Sequence, residues 1–373
     1  MKSNWPSKKL GEVCILATGG TPSKNHPEYF GGDIKWLVSG DVNKREIYDC
    51  EGRISELGLK NSNARILPKN SVLIALNGQG KTRGIVAILR TEATCNQSLV
   101  AIIPNVTLLS AYLYYNLDWR YQEIRNLTGA TDRRGLSMKI IKEIKITIPG
   151  VDEQKRIVEK LEKIIEPQKL TDEQFAKTEE LFNSTCLTFF NKIGTDFKKI
   201  KLGEVCNIVK GKSPILKAPS GEHPLVVTAE ARKTSNEFQF DTAAVCVPLI
   251  SSSGHGHADI KRIHYQEGKF ALANIMAALI PDDSLLAKFL FYYLSFYKDE
   301  LFIPLMAGSA NVTIPLDSLK GIQIPMPPIK IQQEVIEKLL KIEELKKALV
   351  ERKKLLQDLF NSSLNMAFQG KLT

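Results

Sequence analysis

Residues 75–82, ALNGQGKT, place a small residue and four variable positions before Gly-Lys-Thr, the loose form of a phosphate-cradling loop. In such a loop Lys81 and the backbone N–H groups would hold nucleotide phosphates. That chemistry needs a strand before the loop and a helix after it, because the helix N-terminus supplies the positive end. SVLIAL (71–76) reads as the strand, but RGIVAILRT (83–91) is short and β-branched and reads as a second strand, so a hairpin turn is expected. GHGH at 254–257 sets His255 and His257 two residues apart, a spacing that could seat a metal. No further His or Cys stands at convincing ligand spacing, so a strand-end loop is the simpler reading. Methyl transfer to DNA would need an Asn- or Asp-Pro-Pro-aromatic loop, and MPPIK (326–330) lacks the residue before its prolines. It reads instead as a strand-to-helix hinge. No helicase-type motif and no Ser, Cys and His triad is visible.

The elements that would position these residues are written twice. KKLGEVC (8–14) returns as IKLGEVC (200–206), and LLSAYLYYNL (108–117) as LLAKFLFYYL (285–294). IKITIPGVDEQKRIVEKLEKI (144–164) returns as IQIPMPPIKIQQEVIEKLLKI (322–342), and ELFNSTCLTFF (180–190) as DLFNSSLNMAF (358–368). Four matches in one order establish a duplication. Each half opens with a mixed part of β-branched runs punctuated by Gly, Asn and Pro, and contains a helix near 111–127 or 287–302. In the second half PLISSSGHGHADI stands where the first has the ALNGQGKT loop; it keeps glycines and loses Gly-Lys-Thr. Each half then closes with a strongly helical part, 151–194 and 329–373. In the latter Val335, Ile342, Leu349 and Leu356 fall seven apart, with Leu339, Leu345, Leu359 and Phe360 flanking the stripe. Ile157, Leu161, Ile164, Phe175, Phe182 and Phe189 are their first-half counterparts. Such a repeat asks for a partner helix, the other copy being the obvious one. Pro167 should kink or interrupt the first rod. Tyr114, Tyr115, Tyr292 and Tyr293 read as core of the repeated helix.

Composition agrees with a folded protein of basic surface. The chain has 373 residues, 43% hydrophobic and 25% charged, with a formal charge of +10. That excess favours a polyanionic partner, nucleic acid above all. The six cysteines lie far apart without a CxxC, which favours buried, reduced thiols and a cytoplasmic location. No apolar run is long enough to cross a bilayer, and the first residues have no signal-peptide core.

The chain resembles the specificity subunit of Type I restriction-modification systems. The resemblance runs over essentially the whole sequence and is carried by LGEVCILATGGTPSKNHPEYFGGDIKWLVSGDV (10–42), NQSLVAIIP (96–104) and the 144–164 segment with Glu153-Gln154. The second half departs from it: GKSP (211–214) stands for GGTPS (19–23), and Gln332-Gln333 replaces the acidic-Gln pair. It implies an α+β fold: two pseudo-twofold-related mixed α/β target-recognition domains, 1–150 and 195–328, joined by two long antiparallel coiled-coil helices, 151–194 and 329–373. It also implies a non-catalytic reader of double-stranded DNA, each domain taking one half of a bipartite asymmetric target. The helices would set the gap and dock two methyltransferase subunits, with restriction (motor-nuclease) subunits in the larger complex. S-adenosylmethionine, ATP and Mg would belong to those partners, and this chain would need no cofactor and no metal.

DNA reading needs Arg, Lys, Asn or Gln on loops and helix ends. The expected contacts are Lys24, Lys81, Arg83, Arg133 and Arg134 in the first half, and Lys210, Lys212, His255, His257 and Asn311 in the second, where Ser309 shares the last loop. Two other classes compete: a nucleotide hydrolase or nuclease using 75–82 or the histidine pair, and an adaptor whose helices assemble partners without reading DNA.

Overall fold

The computed structural model describes residues 5–78, 82–128, 135–215, 220–252, 257–308 and 312–371. It contains two compact units, Met1–Leu170 with Lys353–Thr373, and Thr171–Arg352.

The first unit begins with strand β1 (Ser7–Lys9), the short helix α1 (Leu10–Val13) and β2 (Cys14–Thr18). There follow β3 (Phe30–Leu37), β4 (Glu46–Ile47), β5 (Arg53–Ile54), α2 (Glu56–Lys60), β6 (Val72–Ala75), β7 (Val86–Leu89), β8 (Thr94–Cys95) and β9 (Leu99–Pro104). Helices α3 (Ser110–Trp119), α4 (Tyr121–Arg125) and α5 (Met138–Glu143) lead to β10 (Lys145–Thr147) and the long α6 (Val151–Asp196). The main sheet runs β2-β9-β6-β7-β4, a smaller one β5-β3-β8, and β1 pairs with β10. Strands β6, β7 and β9 are apolar at nearly every position because both faces of the sheet are covered. Val72, Ile74, Val86, Ile88, Val100 and Ile102 enter a core with Tyr112 and Leu113 of α3. Their neighbours Leu73, Ala75, Ala87, Leu89, Leu99 and Ala101 enter a second core with Leu37, Val42 and Ile47.

The second unit repeats the plan. After α6 come β11 (Lys199–Lys201), α7 (Leu202–Val205), β12 (Cys206–Lys210), β13 (His223–Val226), β14 (Lys233–Ser235), β15 (Phe240–Asp241) and β16 (Ala244–Pro248). Then follow β17 (His264–Gln266), β18 (Lys269–Leu272), β19 (Met276–Pro281), α8 (Ala287–Phe296), α9 (Lys298–Phe302), α10 (Leu316–Lys320), β20 (Gln323–Pro325) and α11 (Ile329–Phe368). Its main sheet, β12-β19-β16-β17, has the order of β2-β9-β6-β7, and β11–β20 matches β1–β10. In the small sheets β13 pairs parallel with β18, as β3 does with β8.

Helices α6 and α11 hold 46 and 40 residues, roughly 70 and 60 Å at 1.5 Å per residue. The boundary between units falls inside both. Helix α6 passes through Pro167 without interruption. The cost of a lost backbone donor, about 3 kcal/mol, is offset in the first unit by burial of Ile157 and Leu161 and partial burial of Ile164 and Ile165 just before it. The ends of these helices complete the cores. In the first unit Tyr112 meets Phe368 at 5.4 Å between ring centroids and Tyr115 meets Phe360 at 6.3 Å, both partners coming from α11. In the second unit Phe289 meets Phe190 at 6.1 Å and Tyr292 meets Phe182 at 6.2 Å, both from α6. Tyr114, Tyr115, Tyr292 and Tyr293 are buried, as core residues should be.

Within the second unit the helices run antiparallel: Lys338 lies over Phe189, while further along α11 Lys346 lies over Phe175 and pairs with Glu179 at 2.7 Å. Val335, Leu339 and Leu349 are buried, whereas Leu345, one turn before Leu349 at the margin of the stripe, stands half-exposed. In the first unit Phe360 is buried and Leu359 half-exposed. The six cysteines are free, and all but the half-buried Cys14 are buried.

Phe190 also meets Tyr293 at 5.4 Å and Phe296 at 5.7 Å. Phe190→Ala should therefore cost about 3–5 kcal/mol, read by urea unfolding; a loss under about 1 kcal/mol would mean that the α6 end is not seated there. A pH effect is expected in the same unit. His264 accepts from the Arg232 guanidinium at 2.9 Å, and burial, then Arg232 and Arg262, push its pKa down to about 4. A depressed histidine favours the neutral form in the folded state, so its contribution is present above about 6.5 and is lost as pH falls toward 4. Melting temperatures from pH 7 to 4.5 should drop more steeply for the parent chain than for His264→Gln; parallel curves would contradict this.

Candidate nucleic-acid interface

One edge of each main sheet gathers the variable loops. In the first unit β2 ends at Thr18 opposite Val100, and β6 ends at Ala75 opposite Leu99. The chain after β2, the β6–β7 hairpin and the turn before β9 therefore leave from the same edge. Gly20 N–H donates to Cys95 O at 3.0 Å, Trp36 Nε1 to Gly20 O at 3.0 Å, and Thr21 Oγ1 to Gln97 Oε1 at 2.6 Å. A Cβ on Gly19 would lie 1.7 Å from Cys95 O, so only glycine lets the chain run this close. The fourth segment starts and ends here too. Arg83 Nη1 donates to Thr128 Oγ1 at 3.4 Å, and Leu136 N–H to Leu76 O at 2.8 Å.

The second unit has the same edge. Strand β12 ends at Lys210 opposite Ala277, and β16 ends at Pro248 opposite Met276. Leu249 N–H donates to Ile275 O at 2.8 Å, Ser251 N–H to Val312 O at 2.9 Å and Ile314 N–H to Leu249 O at 2.9 Å. The segments beginning at 211, 249, 273 and 307 thus emerge together, like those at 19, 76, 96 and 128.

Lys24 is exposed in the turn after Thr21, and Lys210 at the end of β12 and Lys212 just past it are exposed. Gln239 holds that turn from both sides: its amide N donates to Lys210 O at 2.9 Å and its amide O accepts from Lys212 N–H at 3.0 Å. His257 is exposed, and its carbonyl accepts from the Ser251 hydroxyl. Arg83 is only 6% exposed. Its guanidinium faces Thr128 and its carbonyl accepts from Arg125 Nη1 at 3.0 Å, so it joins the hairpin to the end of α4. Lys81, Arg133, Arg134, His255, Ser309 and Asn311 lie outside the described residues.

The chain that resumes at Thr82 enters β7, antiparallel to β6, so among the described residues a strand and not a helix follows this loop. Gly78 (φ +118°) and Gly84 (φ +85°) flank it in positive-φ backbone. Cys95 beneath the 19–21 segment is pushed up to about 12 by burial, which leaves its thiol protonated and inert at neutral pH. Amines, amides and hydroxyls are exposed along both edges, and these suit phosphates and base edges. Gln97 and Asn274 belong with them. Each is exposed in the turn before β9 or β19, they stand 177 residues apart, and the sequence reading did not single them out. Their signal was available: an Asn or Gln at matching places in two copies of a loop.

A second pair stands in the sequence only as part of the family resemblance, with no structural role given to it. At the start of each long helix a glutamine is fully buried, Gln154 and Gln332. Gln154 Oε1 accepts from Leu109 N–H at 2.8 Å, and Nε2 donates to Thr107 O and Pro149 O, both at 2.8 Å. Gln332 Oε1 accepts from Leu286 N–H at 2.8 Å, and Nε2 donates to Ser284 O at 3.0 Å and Pro327 O at 2.9 Å. Both lie at the far end of the sheet from the variable loops, where β9 and β19 give way to α3 and α8. An amide repeated 178 residues on, in a stretch otherwise alternating charged and apolar residues, was the clue to it.

The sequence pattern described as "Type I restriction modification DNA specificity domain" matches residues 2–180 and 194–357. The chain is similar to the Type I restriction enzyme MjaIX specificity subunit of Methanocaldococcus jannaschii, 31% identical over 206 residues that make up 53% of this chain and 45% of that protein. It is also similar to the EcoR124I/EcoR124II specificity subunit of Escherichia coli, 32% identical over 160 residues, 42% of this chain and 40% of that one. The chain spans somewhat less than half the length of these relatives. In fold it matches the crystal structure of a Type I restriction-modification S subunit from M. genitalium, with a TM-score of 0.63 and 16% identity over 98% of this chain and 96% of the other.

Gly78→Ala should destabilise the first unit by about 1–3 kcal/mol, since a Cβ at Gly78 would sit 1.7 Å from Thr82 Oγ1 at a positive φ. Gly40→Ala, where a Cβ meets nothing within 4 Å, is the control. Equal unfolding midpoints for the two variants would refute the described hairpin.

Proposed function

The chain belongs to the Type I restriction modification DNA specificity domain family, and on that premise we propose that it is the DNA-reading subunit of a Type I restriction-modification complex and carries no catalytic site of its own. Each unit takes one half of a bipartite, asymmetric double-stranded target. Helices α6 and α11 set the gap between the halves and dock two methyltransferase subunits, and restriction subunits join in the larger assembly. S-adenosylmethionine, ATP and Mg are held by those partners, and the complex works in the cytoplasm, where its DNA is.

The observation that carries this reading is the repeated sheet edge. The same strand order presents its loops at the same place twice, on corresponding joints, with different residues in each copy. Duplicated scaffolds with divergent polar loops are what two different half-targets require. Lys24, Lys210, Lys212 and His257 supply phosphate contacts, together with Lys81, Arg133, Arg134, His255 and Asn311 from the loop segments. Arg83 positions the hairpin, and Gln97 and Asn274 read base edges. The antiparallel pairing of β6 with β7 puts a strand where the hydrolase reading needs a helix to hold phosphates.

Titrating duplex DNA carrying the methylated target against the chain with its methyltransferase subunits, at rising salt, tests this. Affinity should fall steeply, and Lys24→Ala, Lys210→Ala and Lys212→Ala should each lower the salt slope by about one. Gln97→Ala or Asn274→Ala should cost about 1–3 kcal/mol on the cognate duplex and relax one half-site only. DNA binding that is absent at low salt would favour an adaptor. ATP hydrolysis by the chain alone, lost in Lys81→Ala, would favour a hydrolase.

A further inference from the structure

We propose that Gln154 and Gln332 are positioning residues that fix the angle of each recognition unit on its helix, and that Gln154 thereby sets how strictly the gap between half-targets is enforced. This rests on the DNA-reading function proposed above. The amide of each glutamine is fully used: one backbone N–H donates to its oxygen, and both of its N–H groups reach carbonyls. Two of these bonds go to the segment that links β9 to α3 or β19 to α8, and the third to the helix's own hinge, so one side chain ties that segment, hinge and helix at a single point. Three bonds in different directions remove the rocking freedom that apolar packing, which is non-directional, leaves in place.

The two joints differ in one respect. The residue before α6 is Gly150, whereas the residue before α11 is Pro328. Both use that carbonyl to accept from the first turn: Gly150 O from Glu153 and Gln154 N–H, and Pro328 O from Ile331 and Gln332 N–H. The proline ring stiffens the second hinge by itself, while glycine leaves the first to its glutamine. A Cβ built on Gly150 meets nothing within 4 Å, so the first hinge has room for a side chain and is soft by composition rather than by crowding. The first unit therefore depends on its amide more than the second does.

The test is sequencing of methylated bases in DNA from cells that express the chain with its methyltransferase subunits. The parent chain should methylate one bipartite target at one gap length. In Gln154→Leu both half-sites should stay the same, while the ratio of methylation at the parental gap to that at gaps one base pair longer or shorter falls on the order of tenfold. Gln332→Leu should change this ratio less, and adding Gly150→Pro to Gln154→Leu should restore it. A residue that only stabilises the fold would lower total methylation and melting temperature and leave the ratio alone; that result overturns the proposal. Should Gln154→Leu not accumulate, Gln154→Asn, too short to reach Thr107 and Leu109 together, is read by the same ratio. If the parent complex methylates no bipartite target, the DNA-reading function itself fails and the proposal with it.

Discussion

The aromatic seat on α3 and α8 is the contact on which the rest depends. Each β unit carries a helix whose outer face is too apolar to leave in water: Tyr112, Tyr115 and Trp119 in the first, Phe289, Tyr292 and Tyr293 in the second. Burial of each such ring stabilises by roughly 1.5–3 kcal/mol. Neither unit covers this face from its own sheet. The second is covered by Phe182 and Phe190 near the end of α6, and the first by Phe360 and Phe368 near the end of α11. Trp119 adds a stacked contact with Phe368 at 5.3 Å and a 2.6 Å hydrogen bond from Nε1 to Asn365 Oδ1. A chain built this way must send its last residues, Lys353–Thr373, back to its first unit.

That plan separates what must stay constant from what is free to differ. The helix-side end of each sheet is occupied by the paired strands β1–β10 or β11–β20, the buried glutamine and the aromatic seat, all nearly superimposable in sequence between the copies. The opposite edge carries segments tied down by backbone hydrogen bonds at their feet, such as Leu136 to Leu76 and Ser251 to Val312. Bonds at the feet do not depend on side chains further out. Lys24 and Gln97 in one copy and Lys210, Lys212 and Asn274 in the other therefore diverge without disturbing the scaffold.

Much of this was legible from the sequence because duplication supplies its own control. The hairpin at 75–86 follows from the β-branched run after Gly-Lys-Thr, and the burial of Tyr114, Tyr115, Tyr292 and Tyr293 from their place in a repeated apolar helix. Pro167 was only half legible: a proline predicts strain, but not that flanking packing carries the helix through. The seven-residue stripe located the helices and placed Leu345 and Leu359 beside the seam, yet they face outward, because a period fixes spacing and not which side of the stripe a partner covers. The sharing of each helix between two units was invisible locally, since Phe360 reaches Tyr115 across 245 positions. Gln154 stood in the sequence only as part of a family-like segment, and Arg83 as a loop cation, until burial of both gave them structural roles.

The central claim, two independent readers on one duplicated scaffold, is tested most directly by exchange. Residues 195–328 would be replaced with the corresponding segment of another family member, and the methylated target of the resulting complex sequenced. The account predicts a target in which one half changes and the other half is kept. A target altered in both halves would contradict it.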